Sequence, residues 1–272
     1  MDALSLATRL TLLLFVVWPG HSSVPGAAWA GPIVAGIMLL SGRHRPNPWW
    51  LLLAAVWSTI CVLDGPASSP LMWLYACWSL GLGLASWDPD PPRAVAICAR
   101  RLVGVVFLSA LLWKAVLAPD YREGGFLHAM MSMPMRMIPV ARLSGMDAER
   151  QKTNEGRLNE LLASGQAGDA VAFESTERLA GVSRFMALAS LPVELALALA
   201  FLIPGLAQRW RLVAFFVFAG SAWLVLPVPV FAMILTALVL AQATDASVRM
   251  RLALLAVPVL AEGNLLVQGL LG

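Results

Sequence analysis

The chain has 272 residues, 59% of them hydrophobic and 13% charged, with a formal net charge of +3 and a mean hydropathy of +0.76. Soluble domains are about half apolar and about a quarter charged, so a soluble fold of this size would be left with apolar surface it could not bury. The excess positive charge does not indicate a nucleic-acid binder, because the cationic residues fall in short turns between apolar runs and form neither a basic stripe nor a groove-reading motif.

Residues 1–30 hold Arg9, the apolar run Leu10–Trp18 and the small-residue stretch Ala28-Trp29-Ala30. This pattern fits a cleaved signal peptide or a first membrane helix followed by a short turn, and the uncleaved helix is the expectation. Apolar runs lie at 4–18, 28–42, 49–63, 70–86, 102–118, 183–203, 210–226, 228–242 and 250–271. Several are shorter than the ~20 residues needed to cross a hydrocarbon core of ~30 Å, and some are candidates for half-spans. The stretch 210–242 is too long for one span. Pro227-Val228-Pro229 interrupts it by removing backbone donors and clashing with the preceding turn, which predicts a helical hairpin. The expected fold class is all-α, a polytopic transmembrane helical bundle of about nine spans, or seven if two short runs are re-entrant. Residues 1–118 would form N-terminal transmembrane helices, 119–182 an outer amphipathic and polar segment, and 183–272 the C-terminal transmembrane helices.

Charge placement orients this arrangement. With a cytoplasmic N-terminus and nine crossings, the short inner loops carry Arg43, Arg45, Arg93, Arg100, Arg101, Arg209, Arg211, Arg249 and Arg251. The short outer loops, 19–27, 64–69 and the Pro227 turn, carry no Lys or Arg, as the positive-inside rule requires. Segment 119–182 and the C-terminus then lie outside. Nothing requires a eukaryotic organelle, so a bacterial inner membrane is the expected location.

The outer segment opens with Phe126-Leu-His-Ala-Met-Met-Ser-Met-Pro-Met-Arg-Met-Ile-Pro, five of whose residues are methionine. Flexible, polarizable thioethers suit an adaptable apolar surface. The stretch reads as a helix lying in the interface, a re-entrant segment, or a piece packed over the outer end of the bundle. Residues 145–180 read as one or two polar helices, around Glu155–Leu162 and Asp169–Leu179.

Ionisable groups within apolar runs need a partner, water or an interface, which makes them functional candidates. Lys114 lies about one turn from the end of its run and is one of only two lysines. A desolvated lysine can lose its proton and act as a base, whereas arginine cannot in practice. The alternative is a side chain reaching the headgroups beside Trp113. Glu194 and Glu262 both lie mid-span, with Asn264 and Gln268 following the latter. Each reads as a neutral acid bonded to a neighbouring helix, while the functional alternatives pair Lys114 with Glu194 or line a polar cavity with all three. Cys61, Cys77 and Cys98 lack metal or redox-pair spacing and are expected to be buried structural thiols without a disulfide. His21, His44 and His128 lack ligand spacing, so no metal site is expected. His128 draws interest because it follows Lys114 on the same proposed side. No phosphate-binding loop, nucleophile elbow or zinc-protease helix occurs.

Residues 107–128, Phe-Leu-Ser-Ala-Leu-Leu-Trp-Lys-Ala-Val-Leu-Ala-Pro-Asp-Tyr-Arg-Glu-Gly-Gly-Phe-Leu-His, resemble a segment of the HTTM family, the membrane domain of vitamin K-dependent γ-glutamyl carboxylase and its bacterial relatives. There a helix ending in small residues and a lysine precedes an acidic-aromatic pair and a glycine, matched here by Ala110, Lys114, Asp120, Tyr121 and Gly124. A later helix with an intramembrane Glu before a Pro is matched by Glu194 and Pro204. DoxX-like and MauE-like membrane proteins are similar in their small-residue, lysine and proline pattern. The resemblance implies chemistry at the outer face, with Lys114 as the base that deprotonates a membrane quinol. Glu194 or Glu262 would be its partner, and Asp120, Tyr121 and His128 would lie around the cofactor.

Three functions compete: quinone- or lipid-linked redox or carboxylase-like chemistry, a non-catalytic subunit of a larger membrane complex, and a small transporter. The short spans, the Met-rich segment and eleven tryptophans suit the subunit, since partners often shield short helices. The transporter lacks a visible inverted repeat. The partners expected are the lipid bilayer, other membrane subunits or a quinone, and no nucleic acid.

Overall fold

The computed structural model describes residues 2–18, 27–65, 69–133, 137–163, 173–223, 225–226 and 228–271. Among these the regular elements are all helical, with no strand. They are α1 (Ala3–Val17), α2 (Ala27–Leu40), α3 (Trp49–Asp64), α4 (Pro70–Leu84), α5 (Pro91–Leu112), α6 (Pro119–Arg122), α7 (Gly125–Ser132), α8 (Ile138–Leu143), α9 (Ala148–Ala163), α10 (Glu177–Leu202), α11 (Gln208–Trp223), α12 (Pro229–Gln242) and α13 (Val248–Leu271).

The helix starts follow from capping chemistry. Side-chain oxygens of Asp2, Asp90, Asp147, Thr176 and Ser247 accept from the backbone N–H three residues on, satisfying first-turn donors that have no helical partner. Each expected apolar run has a helix at its place. Helix α5, however, begins at Pro91, so Arg93, Arg100 and Arg101 are helical rather than in a loop. Its first-turn prolines need no N–H, and no breaker follows. The stretch 210–242 is broken as expected, α11 ending at Trp223 and α12 starting at Pro229. Pro227 itself, most of the turn 19–27, residues 66–68 and 164–172 lie outside the described residues, and with them the start of the expected Asp169–Leu179 helix, of which residues 173–176 are not helical. Ala28-Trp29-Ala30 is part of α2.

Length separates these helices. Three described helices are long and apolar enough to cross a membrane: Pro91–Leu117, Glu177–Leu202 and Val248–Gln268, with 27, 26 and 21 residues. Helices α1 to α4 and α12 have 14 to 16 residues. At 1.5 Å per residue they span roughly 21–24 Å, less than a ~30 Å hydrocarbon core. Large apolar side chains such as Leu40, Leu117, Phe185 and Leu270 are at least 72% exposed, an exterior suited to apolar surroundings rather than water.

The chain divides into two compact units, and several helices contribute to both. The first comprises Met1–Val106, Ala198–Val213 and Pro229–Val259. Its core contains α12, apolar all round and buried on nearly every side. Beside it Phe15, Trp57 and Tyr75 interlock at centroid distances of 4.6–5.4 Å. The Trp78 indole N–H donates to Thr11 Oγ1 at 3.1 Å. Cys61 is buried as expected, but Cys77 is exposed and Cys98 half-buried, its sulfur against Gly81 of α4.

The second unit comprises Phe107–Leu197, Ala214–Val228 and Leu260–Gly272. Met131 and Met137 of the Met-rich stretch, together with Met146, pack in one core with Tyr121, Leu127, Ala141, Leu179 and Ala187. Two buried amides of α9 hold it: Gln151 Nε2 donates to the Met131 and Met133 carbonyls, and Asn154 Nδ2 to those of Ser132 and Glu174. Asn154 Oδ1 in turn accepts from Glu174 N at 2.7 Å.

Close helix contact in the first unit depends on Gly104, where an added Cβ would lie 2.5 Å from Leu202 Cγ and 3.3 Å from its backbone nitrogen. Gly104→Val is expected to force α5 and α10 apart and destabilise the protein by about 1–3 kcal/mol, read as a lowered melting temperature in detergent. An unchanged melting temperature would refute this packing.

Candidate functional site

Helix α10 presents Ser183, Ala187, Ser190 and Glu194 at helical spacing, so they form one stripe. Residues 114–124 run along this stripe in the reverse direction. Lys114 Nζ forms an ion pair and hydrogen bond with Glu194 Oε1. The Tyr121 hydroxyl lies 3.1 Å from Ser190 Oγ. Because the Ser190 hydroxyl donates to the Ala187 carbonyl at 2.8 Å, the tyrosine is the donor to Ser190. Gly124 then meets the backbone of Ser183 and Arg184.

Local chain geometry makes this possible. The last turn of α5 widens into a π-helical turn over Trp113–Leu117, closed by Ala118 N donating to Trp113 O at 2.9 Å. Such turns insert one residue into the helical register and often mark functional positions. Pro119 starts the short α6, and Gly124 follows with φ +88°, a left-handed conformation that disfavours side chains. A Cβ there would lie 2.6 Å from Arg184 N, so the glycine serves both the turn and the close approach to α10.

The pair is shielded. Glu194 is only 6% exposed, and the Lys114 side chain is 19% exposed. The ammonium also sits 4.8 Å from the Tyr121 ring centroid, in cation–π geometry. Trp113 and Phe126 flank that ring, edge-on at 6.3 Å and stacked at 5.9 Å. The second carboxylate oxygen, Glu194 Oε2, is buried without a hydrogen-bond partner, and a buried acceptor left unmatched is costly.

The other expected site residues stand apart from this pair. Glu262, on α13, is half-buried and makes neither an ion pair nor a hydrogen bond with Lys114 or Glu194. Its neighbours instead tie down backbone, Asn264 donating to the Trp223 carbonyl and Gln268 accepting from Met137 N. Asp120 is exposed and forms no ion pair among the described residues. His128 is half-buried in α7, and burial pushes its imidazole below the usual range, favouring the neutral ring. No group of three or more His, Cys, Asp or Glu among the described residues has metal-binding geometry. Ser190 was not singled out from sequence, although it lies one turn before Glu194 on the same face. No family model, curated protein or solved structure matches this chain.

Chemically, the pair sets an amine and a carboxylate in direct hydrogen-bond contact, a proton donor against a proton acceptor. Energetically, breaking the pair differs from replacing it. Lys114→Met alone is expected to destabilise the protein by about 3–5 kcal/mol, and Lys114→Met with Glu194→Leu to recover most of the loss. Additive losses in a double-mutant cycle of melting measurements would contradict the pairing. Gly124→Ala is expected to cost roughly 2–4 kcal/mol through backbone strain and overpacking. Wild-type thermal stability in that variant would show that Gly124 does not hold the turn against α10.

Proposed function

We propose that this chain is an integral membrane protein of the HTTM type whose Lys114–Glu194 pair performs proton-linked chemistry on a lipid-soluble quinol at the outer face of a bacterial inner membrane. The proposed topology has nine spans, a cytoplasmic N-terminus, and residues 119–182 and the C-terminus outside. Arginine placement in the sequence, the long apolar helices and the exposed apolar surface support it. The short helices would need thinned bilayer or shielding by neighbours.

The observation that carries the reading is the unpartnered Glu194 Oε2 beside a paired Lys114. That oxygen is an acceptor suited to a ligand hydroxyl, and the rings of Trp113, Tyr121 and Phe126 suit an aromatic head group. A bound quinol would supply a weakly acidic hydroxyl. Passage of the Lys114 proton to Glu194 leaves a neutral amine able to receive a proton, while Ser190 holds Tyr121 over the amine. Asp120 and His128 would belong to the approach rather than to the reacting pair.

The test uses full-length protein purified in its native lipids. The wild type is expected to bind quinol and deprotonate it, read as the absorbance of the bound quinolate. Lys114→Arg should retain the ion pair and the fold but lower the rate of quinol deprotonation by roughly 100-fold or more, because a guanidinium does not act as a base. Full activity in Lys114→Arg, or no quinol binding by the wild type, would leave the pair as a staple between two helices and favour a non-catalytic membrane subunit.

A further inference from the structure

Two arginines of the first unit, at the end of α10, have no acidic partner among the described residues. Arg211, in the first turn of α11, donates from Nε to the Ala200 carbonyl at 3.2 Å. That places a cation at a helix C-terminus, where the partial charge is negative. Arg100 lies one turn before Gly104 on α5, and Gly104 is the point at which α5 closes on Leu202 of the same helix end. Both arginines are therefore carried by backbone that meets the last turn of α10. Arg100 Nε is buried with no hydrogen-bond partner. Described ion pairs use Arg45, Lys114, Arg150 and Arg157, not Arg100 or Arg211.

Two like charges at one helix end, one with a buried unmatched donor, are stabilised by a shared anion. A phosphate meets the need, since its oxygens accept from both guanidinium forks at once. We infer that Arg100 and Arg211 form a binding site for the phosphate of an anionic phospholipid headgroup. The inference rests on the membrane reading above but not on the Lys114–Glu194 chemistry. In the proposed topology both arginines face the cytoplasmic leaflet, where basic pockets between helices bind such headgroups.

The experiment titrates full-length protein in neutral detergent with phosphatidylglycerol, phosphatidylcholine or inorganic phosphate and counts bound lipid by native mass spectrometry. Wild-type protein is expected to prefer phosphatidylglycerol about tenfold or more. Arg100→Gln with Arg211→Gln should abolish that preference, while Arg93→Gln, an exposed position on the same helix, should keep it. Arg100→Lys with Arg211→Lys should keep part of it. A wild type without preference, or a double glutamine variant that retains it, overturns the inference. Displacement of phosphatidylglycerol by millimolar phosphate alone would overturn the lipid assignment in favour of a free anion. Release of the protein from native membranes by alkaline carbonate would overturn the membrane reading itself, whereas membrane-retained protein without the preference overturns only this site.

Discussion

A carboxylate removed from water needs a counter-charge, and Glu194 on α10 meets that need with Lys114. Much of the surrounding geometry serves this one requirement. The π-helical turn advances Lys114 toward α10, Pro119 turns the chain, Tyr121 rests against Ser190, and Gly124 allows the backbone to touch the helix. A single ion pair would be a weak source of net stability after its desolvation. Its larger effect is to set a register between two chain segments, because a one-residue slip would strand both charges.

The methionine core shows the complementary problem. Thioethers pack irregular space well but leave the nearby backbone carbonyls to be satisfied by other groups. Gln151 and Asn154 supply those bonds from α9, a helix whose composition is otherwise polar. Tyr121 belongs to this core and also covers Lys114, so packing of the polar segment and shielding of the charge pair share one side chain. A ligand entering beside Glu194 would meet the same rings that close this core.

In the first unit, stability rests on shape rather than charge. Helix α12 has no polar face, so it is satisfied only when surrounded. Its neighbours accommodate it with back-bonded hydroxyls at Thr8 and Thr11 and with an aromatic cluster around Phe15. Arg100 and Arg211 at the end of α10 take part in none of the described ion pairs, which is why an anion is proposed there.

Hydropathy alone marked the apolar segments, their interruption near Pro227, and the ionisable groups that apolar surroundings tolerate poorly, because each is a property of a few neighbouring residues. The start of α5 was not legible, since the backbone hydrogen bonds of a helix continue through Arg100 and Arg101 whether or not the side chains are apolar. Lys114 and Glu194 stood out individually, but they are 80 positions apart, and nothing in composition or period joins them. Glu262 shows the same hydropathy anomaly and stands apart from the pair. The surface that the methionines pack against was not legible either, since Tyr121, Leu179 and Ala187 come from separate stretches of the chain. The sequence by itself determined which residues are out of place in an apolar chain. Only the tertiary structure decided which of them meet, because pairing depends on how α10 and residues 114–124 lie against each other in space.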